Sequence, residues 1–364
     1  MGYKIKYLSN VLVFFISATS LFLYSCSDEP TEPGSTSFTW QISTPEELGL
    51  DGSILNTVIS HASSQGFINS LIVIRNGKIA MEEYFNGRNK ESFQTVRSVS
   101  KSFLSALIGI AINKGIVQLD QKMINSFPEY KLSITDTNVN NITLQHLITM
   151  RSGIKGDEEF YFTFTQSSNW IKTIVQSQLE FQPGTHALYA TAGTHLISGM
   201  LTKASGISTK SFAEKHLFDK MGIDVSDWSR DPQGIYFGGN DMFFTTRNMA
   251  VIGLLYLNNG NLNGKQILPT EWVNNSLQYS GGSNIVWGRL TEGGYGYMWW
   301  LGKVSGKRVF FALGHGGQFV LCVPDYKLIA AVTSDPYVDW TTADYHERIV
   351  LQIIADYIIP SVVN

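Results

Sequence analysis

The sequence predicts an α/β (α+β) fold, with one antiparallel sheet built from both ends of the chain and flanked by helices. A helical region is expected as an insertion over roughly residues 115–280. Three observations lead there. Early in the chain, two β-rich runs, 70–75 (SLIVIR) and 78–84 (KIAMEEY), flank Asn76-Gly77, the strongest short-range hairpin signal. The last third holds several short aromatic and β-branched runs separated by turn residues, the pattern of an antiparallel meander. Between them lie stretches of helical period that open on polar residues and stop at Gly or Asn.

Taken in order, residues 40–50 read as extended chain, with Pro45-Glu46-Glu47 opening a turn. A helix is expected over 51–63, with Ile54, Leu55, Val58 and Ile59 on one face. The hairpin follows. Residues 99–113 are apolar nearly all round and close at Gly115, which places this helix in the middle of the protein. Further helices are expected over 143–150, 195–204, 208–221 and 247–257. The meander strands are expected at 295–301, 308–313, 319–323 and 328–334, and a terminal helix at 342–359.

The 364 residues suit one large domain or two intimate ones, and the core needs no disulfide or metal. A charged fraction of 16% speaks against a disordered regulator. The net charge of −3 lacks the basic excess of a nucleic-acid binder. Cys26 and Cys322 are the only cysteines, which excludes a disulfide scaffold, a zinc ribbon and an iron–sulfur protein. The seven histidines show no His-x-x-x-His spacing, so neither a metal nor another cofactor is expected.

The N-terminus reads as an address. Lys4 and Lys6 precede an apolar run from Val11 to Leu23, shorter than the ~20 residues a spanning helix needs. Leu23-Tyr24-Ser25-Cys26 resembles a bacterial lipobox, so residues 1–25 are expected to be a lipoprotein signal and Cys26 the lipidated residue. Residues 26–38, polar and proline-bearing, are expected to be a flexible tether before a domain at 39–364. The expected location is the cell envelope, periplasmic or on the outer-membrane surface, with the membrane reached through the lipid.

Two Ser-x-x-Lys patterns occur, at Ser98–Lys101 and at Ser152–Lys155. Ser98 starts the buried helix. Positions three apart share a helix face, so Lys101 can reach the Ser98 hydroxyl, and the helix N-terminus supplies free N–H groups and a positive field. These are the needs of a serine nucleophile and its oxyanion. Ser152 sits before Gly153 in a helix-ending loop and is set aside. Taken alone, Ser98 and Lys101 read equally well as a helix cap and a snorkelling lysine. Two more segments tip the balance. Pro183-Gly184-Thr185 leads to Tyr189, whose hydroxyl near a helix N-terminus can have a lowered pKa and shuttle protons. Gly314-His315-Gly316-Gly317-Gln318 lies between two strands, where glycines let a ligand approach the backbone and Gln318 N–H can be an oxyanion donor beside that of Ser98.

These segments resemble the serine β-lactamase and penicillin-binding-protein superfamily, in its class C-like branch with D-amino-acid peptidases, esterases and 6-aminohexanoate-dimer hydrolases. The resemblance covers roughly residues 39–358 and includes 97–103 (RSVSKSF), 142–153 (ITLQHLITMRSG), the Pro-Gly-Thr stretch to Tyr189, 239–250 (GNDMFFTTRNMA) and 314–318. It implies an acylated Ser98, general acid/base work shared by Lys101 and Tyr189, and an oxyanion hole from the Ser98 and Gln318 N–H groups. The implied function is a serine hydrolase cleaving an ester or amide of a small-molecule substrate. The alternatives are a D,D-peptidase or β-lactamase, and a degenerate envelope-binding module.

The departures point toward the esterase and oligoamide branch. Thr191 stands where lactamases carry the asparagine of Tyr-x-Asn, and His315-Gly316-Gly317 replaces Lys-Thr-Gly. A histidine is only partly charged at neutral pH and anchors a substrate carboxylate poorly. Trp299 and Trp300, with Tyr297, are candidates to wall an apolar acyl or alcohol pocket, with sheet-core packing expected for at least one of them, while Cys322 falls in a buried strand.

Overall fold

The computed structural model describes residues 38–280 and 284–363. The expected signal segment, the lipidation residue Cys26 and the tether through Ser37 lie outside the described residues. Phe38, placed at the end of the tether, packs edge-on against Trp40 and belongs to the folded part.

Among the described residues, nine strands form one sheet: β1 (Gln41–Ile42), β2 (Ile68–Arg75), β3 (Lys78–Tyr84), β4 (Ile285–Trp287), β5 (Leu290–Tyr295), β6 (Trp300–Val304), β7 (Lys307–Gly314), β8 (Gln318–Val323) and β9 (Leu328–Ser334). Their order across the sheet is β1-β3-β2-β9-β8-β7-β6-β5-β4. The two ends of the chain meet where β2 pairs with β9, as the sequence predicts. All these pairs are antiparallel except the two-residue edge pair of β1 with β3, so the sheet is mixed rather than wholly antiparallel. The β2–β3 turn has φ +52° at Asn76 and +77° at Gly77, the left-handed pair that a tight hairpin requires.

The central strands are buried on both faces, so their alternating side chains serve two cores. One face, with Leu71, Val73, Phe311, Phe319, Leu321 and Val332, packs on α1 (Gly52–Ser64) and the C-terminal helix α6 (Trp340–Ile353). The other, with Ile72, Ile74, Phe310, Val320, Cys322 and Ile329, packs on α2 (Ser100–Asn113) and α5 (Thr246–Leu257). Beyond α2 lies the helical region, in which α3 (Asp157–Thr165) and α4 (Thr191–Ser205) bear on the site.

Local chemistry accounts for the ends. Asp51 caps α1 by accepting from the Ser53 and Ile54 N–H groups. Gly206, at φ +73°, ends α4. The single strand expected over 295–301 is instead two strands, because Gly296–Trp299 turn back on themselves with Met298 at φ +59°. Dense aromatics there reflect burial, and the backbone reverses within them.

Candidate active site

α2 is buried on every side, and a 3₁₀ turn, Arg97–Val99, precedes it. Ser98 therefore stands ahead of the α-helix proper. Arg97 has φ +49°, a region a side-chain-bearing residue enters only when its surroundings hold it there. Its guanidinium donates to Pro336 O (2.6 Å) and Asp241 Oδ1 (3.2 Å) and lies over the Tyr337 ring. Its N–H donates to Thr95 Oγ1 (3.2 Å). The turn so clamped presents Ser98, half-buried, to a cavity of about 920 Å³.

Lys101 lies one turn along the same face and is 1% exposed. Its Nζ donates to Ser98 Oγ (2.8 Å), Thr191 Oγ1 (2.9 Å) and Gly239 O (3.0 Å). Burial brings the ammonium down to about 8, against the opposing pull of Asp157 and Asp241. The Gly239 carbonyl gets this close because residue 239 is glycine: a Cβ there would stand 2.5 Å from Lys101 Cγ. The loop carrying it is anchored by the fully buried pair His195–Asp231 (3.0 Å) and by Thr194 Oγ1 donating to Gly238 O (2.7 Å).

Tyr189 stacks on Trp300 (5.7 Å), with Lys101 Nζ 4.9 Å from its ring centre and its hydroxyl facing the Ser98 side chain. Burial, with Asp157 nearby, pushes the phenol well above the ordinary tyrosine range, opposite to the lowering expected from a helix N-terminus. Desolvation outweighs the helix field, so Tyr189 remains a protonated hydroxyl and a donor. Thr191 opens α4. Its N–H donates to Asp157 Oδ1 and its hydroxyl to Asp157 Oδ2, both at 2.6 Å. Asp157, the first residue of α3, is the site residue that sequence reasoning missed. Its only signal was the Gly156-Asp157-Glu158-Glu159 run, the acidic start of a helix.

Three expectations need correction. Trp300 lines the cavity, but Trp299 is completely buried against Tyr256 and Phe310, because successive residues at the start of β6 turn to opposite faces. Tyr297 likewise packs on Trp272, away from the cavity. Gly316 and Gly317 leave room for the Asp335 and Ser334 segment, not for a ligand, and Gly316 N donates to Glu347 Oε1 (3.1 Å). Gln318 is fully buried opposite Gly314, its side chain accepting from Gln94 Nε2 (2.9 Å) and Ser334 N (3.1 Å). It begins β8, one strand beyond the strand nearest the Ser98 turn, and does not line the cavity.

That nearest strand is β7. A Cβ on Gly314 would run into Val96 O, so glycine allows β7 to lie against the turn. The β6–β7 ladder ends at Trp300 and Phe311, and past it Leu313 and His315 wall the cavity. His315 Nε2 lies 2.7 Å from Val338 O, and burial lowers its pKa, which keeps the imidazole neutral with Nε2 donating.

A sequence profile described as Beta-lactamase matches residues 69–352. The chain belongs to the beta-lactamase family. Among the relatives of this beta-lactamase-family chain is the 6-aminohexanoate-dimer hydrolase of Paenarthrobacter ureafaciens, 22% identical over 65% of the chain and 66% of that protein. Similar solved structures include a D-stereospecific amidohydrolase from Streptomyces sp. (TM-score 0.65, 15% identity, 84% of this chain and 99% of that one). Another is the octameric penicillin-binding protein homologue from Pyrococcus abyssi (TM-score 0.62, 18% identity, 82% and 77%). The fold is that of the β-lactamase and transpeptidase-like proteins, and the chain is a hydrolase of this family.

Proposed function

We propose that this chain is a serine hydrolase that cleaves a small ester or amide through an acyl-enzyme on Ser98. The observation carrying this reading is the buried Lys101 Nζ, 2.8 Å from Ser98 Oγ, with its pKa brought to about 8. Near neutral pH an appreciable fraction of Lys101 is then the free amine that a general base must be. Ser98 Oγ attacks the carbonyl carbon as its proton passes to Lys101. The bond to the alcohol or amine then breaks, and the departing group takes a proton from the Tyr189 hydroxyl, which Lys101 replenishes. Water, deprotonated by the same groups, releases the acid and restores Ser98. The Ser98 N–H and the backbone at the free end of β7 are the donors for the oxyanion, in place of Gln318.

The cavity wall supports an ester or simple amide over a penicillin or a D-Ala-D-Ala end. Besides Glu347, whose burial favours its neutral form, it carries Asp157, Glu158, Glu159, Glu180, Asp339 and Asp344. Its one arginine among the described residues is Arg97, whose guanidinium is engaged by Asp241 and Pro336 O. A substrate carboxylate meets repulsion there. A fluorophosphonate probe is expected to add its mass to Ser98, and Ser98→Ala to abolish both labelling and p-nitrophenyl ester turnover. Labelling that persists in the variant rejects the assignment.

We also propose that the enzyme is exported and held at the cell envelope by a lipid on Cys26, which the lipobox-like segment supports. Metabolic labelling with a radioactive fatty acid tests this. Label that survives Cys26→Ser refutes it.

A further inference from the structure

We propose that Asp157 is a positioning residue that sets the direction of the hydrogen bonds around Lys101, so that the free amine can point its lone pair only at Ser98. The inference rests on the reading of Ser98 as nucleophile and Lys101 as its base. It starts from the three partners of Lys101 Nζ: Ser98 Oγ, Thr191 Oγ1 and Gly239 O. A carbonyl oxygen only accepts. A threonine hydroxyl can donate or accept, and by itself it can hand its proton to a neutral amine. Asp157 removes that freedom. One carboxylate oxygen accepts the Thr191 backbone N–H and the other accepts the Thr191 hydroxyl proton, both at 2.6 Å. With its proton committed to Asp157, Thr191 Oγ1 can only accept from Lys101.

The consequence is geometric. As an ammonium, Lys101 donates all three hydrogens to its three oxygens. As a neutral amine it keeps two hydrogens, and two of its partners, Gly239 O and Thr191 Oγ1, require one each. The lone pair is left facing the third partner, the Ser98 hydroxyl, which carries the proton it must take. The chain Asp157–Thr191–Lys101–Ser98 thus has one polarity in the state that reacts. It spans three separate elements, the start of α3, the start of α4 and the head of α2. No covalent step is added, and the proton still moves from Ser98 Oγ to Lys101 Nζ.

Replacing Asp157 with Asn reverses this polarity. The amide oxygen can still accept from the Thr191 N–H, which turns the NH₂ toward Thr191 Oγ1 as a donor. The Thr191 proton then swings to the Lys101 lone pair and competes with Ser98. The substitution also removes a negative charge that favours protonated Lys101, so the pH at which the amine becomes free moves down.

The test is the rate of fluorophosphonate labelling of Ser98 between pH 5 and 10, for wild type and for the D157N, T191V and T191S variants. It needs no knowledge of the natural substrate. D157N is expected to lower the plateau rate at least about tenfold, a share of the ~10²–10⁴ that a positioned base supplies, and to shift the acid limb below its wild-type midpoint. T191V, which deletes the relay but keeps the charge of Asp157, is expected to lower the plateau, and T191S to restore it relative to T191V. A D157N profile that matches wild type in plateau and midpoint overturns the role of Asp157 while leaving Ser98 as nucleophile. The role is equally overturned if D157N lowers the plateau with no movement of the midpoint, since loss of packing alone does that. Absence of Ser98 labelling in the wild type overturns the reading of the site, and this inference with it.

Discussion

Two ionisable groups at the cavity, Lys101 beneath Ser98 and the part-buried Glu347 on the lining, are driven by desolvation toward the same value. On the floor, Lys101 of α2 is lowered to about 8. On the wall, Glu347 of α6 is raised to about 8. In both, desolvation is the largest cause. Their wiring differs. Lys101 has three oxygen partners drawn from three parts of the chain, with Asp157 and Asp241 in electrostatic reach. Among the described residues, Glu347 has a single hydrogen bond, from Gly316 N, and the nearby Asp344 opposes its charge. A shifted pKa alone therefore does not mark a catalytic group. The floor joins its shifted lysine to a serine, whereas the wall joins its shifted carboxyl to a turn.

Three variants sharpen the contrast. The largest effect is expected at the floor. Lys101→Met should lower kcat by about 10²–10⁴ and erase the acid limb near pH 8, measured as p-nitrophenyl ester hydrolysis against pH. Activity rises with pH through this limb because the neutral amine is the working form. Tyr189→Phe keeps the stack on Trp300 but deletes the donor. It should cost roughly 10–10²-fold with an alkyl ester or amide and distinctly less with a p-nitrophenyl ester, whose leaving group departs without a proton. Equal losses on both substrates would remove Tyr189 from the leaving-group step.

The smallest effect is expected on the wall and concerns stability. A carboxyl with a folded-state pKa above its unfolded value holds a proton in the native state that the unfolded chain has released. Its contribution is intact below the unfolded value of 4.5 and declines as pH rises to about 8. Glu347→Gln keeps an acceptor for Gly316 N and cannot ionise. Its Tm should match wild type near pH 4, exceed it increasingly from about pH 5 to 8, and hold that excess above. A constant Tm difference across this range would mean that Glu347 ionisation does not burden the fold.

Much of the scaffold was legible because its signals are local. The Asn76-Gly77 hairpin, the all-round apolar helix before Gly115 and the strands β7 to β9 follow from residue type and period alone. The helix at Thr191–Ser205 starts earlier than the expected 195, since Thr191 and its neighbours owe their burial to α3 and the Gly238–Gly239 loop rather than to a sequence period. Within the site, Ser98 and Lys101 were readable because three residues along a helix is a fixed geometry. Trp299 and Gln318 were misplaced because one position in a strand changes the face, and the hairpin turn His315–Gly317 puts Gln318 on the next strand.

What the sequence by itself determined is therefore most of the elements and the pairing of Ser98 with Lys101, three residues apart across the turn that opens α2. Their spacing is set by backbone geometry, which neighbouring residues impose on each other directly. What only the tertiary structure decided is the environment of that pair: Asp157, 34 residues before Thr191 and 56 after Lys101, closing the chain of hydrogen bonds, and Gly239 supplying the carbonyl. Desolvation and hydrogen-bond direction depend on which groups meet in space. No local pattern carries that information, because a buried charge is shifted by everything folded around it.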